Sequence, residues 1–188
     1  MRIISGNYKG KKILLPKDKL TRPLKDLTKE SIFNIIKHSK LLNVKIEKSN
    51  ILDLFSGIGS FGLECLSRGA ANVTFFENYK EVLIILKKNI DNLKQQNYSN
   101  IIEKDISLKN TLEGLNHKFD IIFMDPPFKE KKLTCLLNII IKLKLLKDNG
   151  IIIIHRHKKE KDIFPNEFNI IIKKSYGISK IIFGDTLS

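Results

Sequence analysis

The sequence predicts an α/β fold with a mostly parallel sheet of seven strands covered by helices on both faces. From residue 50 onward, apolar segments rich in Ile and Phe alternate with helical patterns, as in a sheet that is buried on both sides. The first apolar segment ends in an acid and runs into a glycine-rich turn. The last two are separated by Tyr176-Gly177 without a helix, so we predict that they close the sheet with an antiparallel strand.

The elements follow from the spacing of apolar residues. Residues 2–15 predict two short strands joined by a Gly/Asn turn, and residues 26–37 predict a helix. Strands are predicted at 50–54, 72–77, 100–104, 119–124, 151–155, 168–173 and 178–183. Helices are predicted at 60–68, 80–95 and 131–146, with a weak helical piece at 107–113. We therefore divide the chain into a basic extension, residues 1–40, and an α/β domain, residues 41–188.

The charge is strongly positive, at +14 for 188 residues. Residues 1–30 alone hold nine Lys and Arg against three Asp and Glu. Such an excess indicates a polyanionic partner, and nucleic acid is the leading candidate. A lysine-rich solvated surface without a partner is the alternative, because 30 of the 34 basic residues are Lys.

The remaining composition excludes several classes of protein. Cys65 and Cys135 are too few for a disulfide framework, and the four histidines do not form a zinc pattern with them. Both cysteines lie in apolar helical contexts, which predicts buried thiols. No apolar run is long enough for a membrane span or a signal peptide, so we expect a cytoplasmic protein.

Residues 57–62, Gly-Ile-Gly-Ser-Phe-Gly, match the G-x-G-x-x-G pattern, and Glu77 follows Gly57 by 20 residues. The amides of such a turn, with the N-terminus of the next helix, can face an anionic or zwitterionic ligand. A pyrophosphate would be repelled by Asp53 at the mouth of the loop. S-adenosylmethionine suits the loop better, because its carboxylate can meet amides while its ammonium and sulfonium meet acids. A tight strand–helix connection without a ligand is the alternative.

Four predicted strands end in or just before an acid. In a doubly wound sheet, ligands bind beyond the carboxyl ends of the strands, where the strand order reverses. One such acid could reflect turn chemistry alone. Four at one rim indicate a binding site; they are Asp53, Glu77, Asp105 and Asp125.

The motif Asp125-Pro-Pro-Phe128 follows the predicted strand 119–124. Two prolines fix a stiff turn and leave their carbonyl groups available as acceptors. The Asp125 carboxylate and the Pro126 carbonyl match the two hydrogens of an exocyclic amine, and Phe128 can stack on the ring that carries it. These acceptors would aim the nitrogen lone pair at an electrophilic methyl, and the carboxylate could take the proton. A structural Pro-Pro turn with an exposed Phe is the alternative.

Together the motifs resemble class I S-adenosylmethionine-dependent methyltransferases, which have a Rossmann-like fold, and more closely the RsmD family of bacterial 16S rRNA guanine-N2 methyltransferases. The N-terminal motifs are more specific than the glycine loop. The resemblance spans nearly the whole chain and is carried by Arg2-Ile-Ile-Ser-Gly6, Lys9-Gly-Lys-Lys-Ile13, Thr21-Arg-Pro23, Asp26, Lys29-Glu-Ser-Ile-Phe-Asn34, Asp53-Leu-Phe-Ser-Gly57-Ile-Gly59, Leu63-Glu64, Ser67-Arg-Gly-Ala70, Asp125-Pro-Pro-Phe128 and Tyr176-Gly177.

The resemblance implies a role for each matching residue and no metal. The methionine end of S-adenosylmethionine would be lined by Asp53, Gly57 and Gly59, and Phe55 would also contact the cofactor. Glu77 would hold the ribose hydroxyls, and Asp105 with Ile106 would hold the adenine. The catalytic residues that hold the target guanine would be Asp125, Pro126, Pro127 and Phe128.

The resemblance also implies an RNA partner. Substrate RNA would be gripped by Arg2, Lys9, Lys11 and Lys12, with Arg22 and Lys29 beside the catalytic mouth. Family members act on a guanine in a hairpin loop of small-subunit RNA, within a ribonucleoprotein particle. An unpaired loop base is easier to extrude than a paired one. We expect the chain to act as a monomer.

The sequence departs from the family pattern at a few positions. Family members often have Thr at the position of Leu24 and Arg-Val-Arg-Glu at Leu27-Thr-Lys-Glu30. A Glu commonly follows their last core strand, where this chain has Arg156 between two histidines. We interpret His155 and His157 as surface residues at a strand end.

Two other functions are compatible with these motifs. The first keeps the cofactor but methylates adenine N6 in DNA or RNA, or a glutamine amide of a protein. The second is a non-catalytic RNA-binding or ribosome-assembly protein with a methyltransferase fold. The N-terminal motifs favour ribosomal RNA, and the intact acids and Pro-Pro turn favour an enzyme.

Overall fold

The structure is a computed structural model, and it describes residues 1–16, 24–106, 110–127 and 132–187. Its elements alternate as predicted from residue 50 onward. In chain order they are α1 (Asp26–His38), β1 (Asn50–Leu54), α2 (Ser60–Ser67), β2 (Asn72–Phe76), α3 (Lys80–Asn92), a 3₁₀ turn (Gln96–Tyr98), β3 (Ser99–Ile102), β4 (Phe119–Met124), α4 (Leu133–Lys142), β5 (Leu146–His157), β6 (Phe168–Tyr176) and β7 (Ser179–Thr186).

The strands form one seven-stranded sheet in the order β3-β2-β1-β4-β5-β7-β6. The pairs from β3 through β5 are parallel, and β7 is antiparallel to both β5 and β6. The predicted fold class, with its terminal antiparallel strand, is therefore confirmed. The order reverses between β1 and β4, which places a crevice at the carboxyl ends of these two strands.

The sheet separates two hydrophobic clusters, and alternate residues of the central strands enter opposite clusters. In β5, for example, Ile153 enters the cluster under α1, α2 and α3, whereas Ile152 and Ile154 enter the cluster under α4. Burial on both sides explains why these strands are continuously apolar rather than alternating.

The N-terminal extension packs into the same core as the sheet. Ile3 and Ile13 are buried with α1 in the cluster that covers one sheet face. Phe33 of α1 stacks on Phe61 of α2, and Phe61 stacks on Phe123 of β4, with ring centroids 5.2 and 4.0 Å apart. The division into two domains at residue 40 stays a prediction.

The predicted N-terminal hairpin is reduced to a single antiparallel bridge between Arg2 and Lys12. The Ile3 amide donates to the Lys11 carbonyl at 2.9 Å, but the segment then leaves the ladder to pack against α2. Gly6 has φ +82°, and a Cβ on it would lie 1.9 Å from the Ser67 carbonyl oxygen. This close approach explains the glycine of the Arg2-Ile-Ile-Ser-Gly6 motif.

Two helices end earlier than predicted. The end of α3 is Asn92 and the end of α4 is Lys142, because Lys94 and Lys144 adopt positive φ values of 55° and 50°. Leu145 donates to Ile140 and Lys144 to Ile141, the hydrogen-bond pattern of a Schellman cap. The chain then enters β5 at residue 146 rather than at the predicted 151.

Other expectations differ or fall outside the described residues. Cys65 is buried, but Cys135 is exposed, so the predicted burial is wrong for Cys135. Residues 107–109 of the weak helical piece lie outside the described ranges, and residues 110–113 form turns. None of the helices in the described ranges has the length and apolar character that a bilayer-crossing segment needs.

Candidate active site

The carboxyl ends of β1, β2, β3 and β4 meet at one rim of the sheet, because these strands are parallel and adjacent. The four predicted acids lie at or just beyond these strand ends. Asp53 is within β1, Glu77 and Asp125 directly follow β2 and β4, and Asp105 lies three residues beyond β3.

Asp53 is buried, with 1% of its surface exposed. Its Oδ2 accepts a hydrogen bond from the Gly62 amide at 3.0 Å, whereas its Oδ1 has no hydrogen-bond partner among the described residues. Burial raises the pKa of this carboxyl well above its ordinary value, and the nearby charges of Asp125 and Glu77 raise that pKa further. A buried carboxylate with one unpaired oxygen is unfavourable unless a cation or donor meets it.

The glycine loop is shaped by residues with positive φ: Phe55 at 60°, Gly57 at 56° and Gly59 at 81°. The Gly57 amide donates to Glu77 Oε2, and the Gly59 amide donates to the Ser56 carbonyl, both at 2.8 Å. We expected loop amides to face the ligand, but these two donate within the protein. The structure thus indicates that Gly57 and Gly59 determine the path of the loop rather than supplying donors.

Glu77 is half-buried and accepts three backbone hydrogen bonds. Besides the Gly57 amide, the amides of Asn78 and Tyr79 donate to its Oε1 at 2.9 Å each. A carboxylate offers about four lone-pair positions, so Glu77 retains acceptor capacity for a ligand hydroxyl. These contacts fix the carboxylate beside the glycine loop.

An apolar cleft lies between the ends of the strands and α4. Phe55, Ile106 and Pro126 line one side, and Leu133 and Leu136 of α4 line the other. Its empty volume is about 390 Å³, including open solvent at its mouth. The apolar lining of the cleft suits packing against the face of a heterocyclic ring.

The loop at Asp105 is anchored from within the protein. The carbonyl of Asp105 accepts a hydrogen bond from the Thr111 hydroxyl at 2.8 Å. Ile106, the next residue, is 9% exposed and faces the cleft. Of the two residues that the resemblance assigns to adenine, Ile106 therefore lines the apolar cleft, and Asp105 precedes it in the chain.

Asp125 lies at the strand-order reversal. Its amide donates to the Leu54 carbonyl of β1 at 3.4 Å, and its side chain is 21% exposed. Pro126 is buried and Pro127 is exposed, so the turn reaches the protein surface directly after Asp125. Phe128 lies outside the described residues.

Two residues at the end of β5 contact this turn, and we did not predict either contact. His155 is 8% exposed, and its Nδ1 lies 2.7 Å from Asp125 Oδ1. Arg156 is 2% exposed and donates from Nη1 to the Pro127 carbonyl at 3.2 Å. The interpretation of His155 as a surface residue is wrong. The continuous burial of residues 151–154, if extended along β5, would have placed both residues inside.

The predicted RNA contacts divide into two groups. Arg2, Lys9, Lys11 and Lys12 are exposed, as an RNA contact requires. Lys29 is fully buried, so the expectation that it contacts RNA is corrected. Arg22 lies outside the described residues.

Lys29 acts inside the protein. Its Nζ donates to the Arg2 carbonyl at 2.9 Å and lies 3.7 Å from Glu64 Oε2. Burial lowers the pKa of its ammonium, and the carboxylates of Glu64 and Asp26 oppose that shift. Lys29 thereby joins α1, α2 and the N-terminal segment.

The described residues fit S-adenosylmethionine. The unpaired Oδ1 of Asp53 matches an ammonium, the Glu77 carboxylate matches a pair of hydroxyls, and the cleft at Ile106 matches a flat ring. Within the described ranges, no three His, Cys, Asp or Glu side chains lie close enough together to hold a metal ion.

Comparisons with known proteins identify the family of this chain. The family described as Conserved hypothetical protein 95 matches residues 1–185. A ribosomal RNA small subunit methyltransferase D of Buchnera aphidicola is 35% identical over 184 residues, which are 96% of this chain and 88% of the relative.

Solved structures share the fold over the whole chain. A putative methylase of Haemophilus influenzae is 31% identical, with a TM-score of 0.78 and coverage of 100% of this chain and 98% of that one. A putative methyltransferase of Escherichia coli is 26% identical, with a TM-score of 0.80 and the same coverage. The chain therefore belongs to the Conserved hypothetical protein 95 family, the RsmD family of methyltransferases, and has their Rossmann-like fold.

Proposed function

We propose that this protein transfers a methyl group from S-adenosylmethionine to the exocyclic N2 amine of a guanine in 16S ribosomal RNA. Relatives of 31–36% identity named as small-subunit or rRNA methyltransferases support the class of substrate. The observation that carries the proposal is the partly exposed carboxylate of Asp125, which precedes the Pro-Pro turn and lies close enough to Asp53 to raise the pKa of that buried carboxyl.

The rim supplies the residues for the methyl donor. S-adenosylmethionine supplies an electrophilic methyl on a positively charged sulfur. Asp53 binds the ammonium through its unpaired Oδ1, and Glu77 accepts hydrogen bonds from the ribose hydroxyls. Phe55 and Ile106 pack on the adenine in the apolar cleft.

Asp125 and Pro126 act on the amine. The guanine N2 lone pair is delocalised into the ring, so the free amine is a weak nucleophile. Hydrogen bonds from its two N–H groups to the Asp125 carboxylate and the Pro126 carbonyl localise the lone pair and orient it. Asp125 would accept the proton that the amine releases when it is methylated.

The exposed lysines of the N-terminal segment extend the site into an RNA surface. The segment contacts Ser67 at the end of α2 and then runs back, over about 12 Å of helix, towards the glycine loop. There the Asn89 side chain accepts from the Leu14 amide and donates to the Ile58 carbonyl. RNA bound along this segment would approach the catalytic rim. The physiological substrate is 16S RNA in the small subunit or an assembly intermediate, bound by a monomer.

A methylation assay with Asp125→Asn tests the mechanism. We expect this variant to lose roughly 100-fold or more in the rate of tritiated-methyl transfer to unmodified small subunits, because the amide cannot accept the proton. Binding of S-adenosylmethionine by calorimetry should be retained. Asp148→Asn is the matched control, because the Asp148 side chain is 97% exposed and lies near the start of β5, away from the catalytic rim.

Mapping the labelled product separates the alternatives. Label on a guanine N2 of 16S RNA supports the proposal, whereas label on adenine, on DNA or on a protein glutamine would assign the enzyme to another acceptor. A normal rate for Asp125→Asn would refute the mechanism. Failure of the wild type to bind S-adenosylmethionine would favour a non-catalytic RNA-binding protein.

A further inference from the structure

The end of β5 places an imidazole against the catalytic carboxylate. Met124 pairs with Ile154 in the parallel β4–β5 ladder, so the next residues, Asp125 and His155, lie side by side. His155 Nδ1 is 2.7 Å from Asp125 Oδ1, and His155 Nε2 is 2.8 Å from Ser179 Oγ. Both ring nitrogens therefore have partners from neighbouring strands.

The partners determine which nitrogen carries the proton. An ionised Asp125 only accepts hydrogen bonds, so His155 Nδ1 must donate to it. In the neutral ring Nε2 is then an acceptor, and the Ser179 hydroxyl can donate to it. This is the Nδ1–H tautomer, which free histidine disfavours, and the pair of contacts selects it.

The arrangement leaves one carboxylate oxygen for the substrate. Oδ1 of Asp125 is engaged by His155, while the side chain keeps 21% exposure. The second oxygen, Oδ2, is not the one that His155 contacts, so it is the oxygen that this partly exposed side chain can offer to a substrate.

Arg156 fixes the same turn from the opposite face of β5. Its Nη1 donates to the Pro127 carbonyl at 3.2 Å, and its Nε donates to Asp162 Oδ1 at 2.9 Å. Lys180 of β7 donates to the other Asp162 oxygen at 3.2 Å. Arg156 thus holds the backbone of the turn at Pro127, whereas His155 separately holds the carboxylate of Asp125.

We propose that His155 is a positioning residue for methyl transfer: its Nδ1–H, selected by Ser179, holds Oδ1 of Asp125 so that Oδ2 receives the amine hydrogen. The inference rests on the proposed function of Asp125. His155 itself does not touch the substrate and keeps its Nδ1 proton throughout. The proton of the amine passes to Oδ2 as the methyl group moves from sulfur to nitrogen.

Three variants test the positioning role. His155→Phe keeps a ring but lacks the donor, and we expect kcat to fall roughly 10- to 100-fold with little change in KM for either substrate. His155→Asn retains an N–H near the position of Nδ1 and should recover most of that loss. Ser179→Ala should lower kcat roughly threefold to tenfold, because the ring loses the contact that selects its tautomer. Melting temperatures and S-adenosylmethionine binding control for folding.

A measurement without substrate keeps this inference separate from the proposed function. Nitrogen-15 NMR of labelled histidine should show an Nδ1–H tautomer for one of the four histidines, and that signal should vanish in His155→Asn. An Nε2–H tautomer at His155, or an unchanged kcat for His155→Phe, would overturn the positioning role. If the wild type does not methylate 16S RNA but shows the Nδ1–H signal, the proposed function fails while the geometry stands.

Discussion

The carboxylate of Asp53 is held in a position that folding alone does not favour. It is almost fully buried, and two other acids lie close to it. In the part of the chain that the structure describes, one of its oxygens has no hydrogen-bond partner. An unsatisfied buried polar group costs about 1–3 kcal/mol, and more when it is charged. A bound ammonium would remove much of that cost, so Asp53 is best explained by binding rather than by stability.

Asp53→Asn is expected to be at least as stable as the wild type at neutral pH while losing S-adenosylmethionine binding. The pKa of Asp53 is raised in the folded state, so the unfolded chain ionises first and stability is lost as pH rises above about 4. Asn does not ionise, so the variant does not lose stability in this way as pH rises. Melting temperatures from pH 4 to 8 should therefore shift in its favour as pH rises.

Asp120→Asn serves as the control for this measurement. Asp120 accepts from the Asn50 amide at 2.8 Å and pairs with Lys147, so its replacement should lower stability. Retention of cofactor binding by Asp53→Asn, or a relative melting temperature that falls with pH, would contradict the assignment of Asp53.

At the scale of single elements, α2 is the attachment point of the N-terminal extension. Glu64 of α2 is fully buried and accepts from the amides of Ile4 and Ser5 at 2.8 and 3.0 Å. It also pairs with Arg68 at 2.8 Å and faces the buried ammonium of Lys29. One carboxylate thus joins the N-terminal segment, α1 and α2.

We expect Glu64→Gln to lower the free energy of unfolding by about 3–5 kcal/mol, because it leaves the buried Lys29 ammonium without its main partner. Urea denaturation provides the measurement. Lys29→Met should also be destabilising. The double variant should lose less than the sum of the two single losses, since the two groups share one interaction.

Glu103→Gln is the matched control for this prediction. Glu103 pairs with Lys87 on the surface, where both side chains are about half exposed. Its loss should change stability by less than about 1 kcal/mol. A similar small effect for Glu64→Gln would show that the extension is held by apolar packing alone.

At the scale of the whole molecule, the net charge of +14 favours binding to the negatively charged phosphates of RNA. The N-terminal segment is anchored to Ser67 of α2 and to Asn89 of α3. Its exposed basic residues are Arg2, Lys9, Lys11 and Lys12. Phosphate contacts release counterions, so affinity should depend steeply on salt.

Replacing Lys9, Lys11 and Lys12 by Gln should weaken RNA binding and lower the slope of log K against log salt by up to about 2–3 units. Filter binding over a range of salt concentrations gives the slope. Lys142, Lys173 and Lys174 are exposed on α4 and β6, and their replacement by Gln removes the same charge. Equal slopes for the two triple variants would remove the N-terminal segment from the RNA interface.

The order of the elements and the acids at the strand ends could be predicted from local patterns. Continuous apolar runs, glycine turns and the Pro-Pro turn are determined by residues that are neighbours in sequence. Gly69, with φ +90°, ends α2 as its residue type predicts. Lys94 and Lys144 end α3 and α4 in the same conformation, but a lysine carries no such signal, so both predicted helices ran too long.

By itself, the sequence determined the α/β class, the rim of acids and the identity of the turn that carries Asp125, because each depends on short-range chemistry. The tertiary structure alone decided that His155 meets Asp125, that Arg156 meets Pro127, and that Lys29 is inside rather than on the RNA surface. These contacts join residues 27–35 positions apart, such as Lys29 with Arg2 and with Glu64. Their formation depends on which strands and helices become neighbours, and that is set by the packing of the whole core.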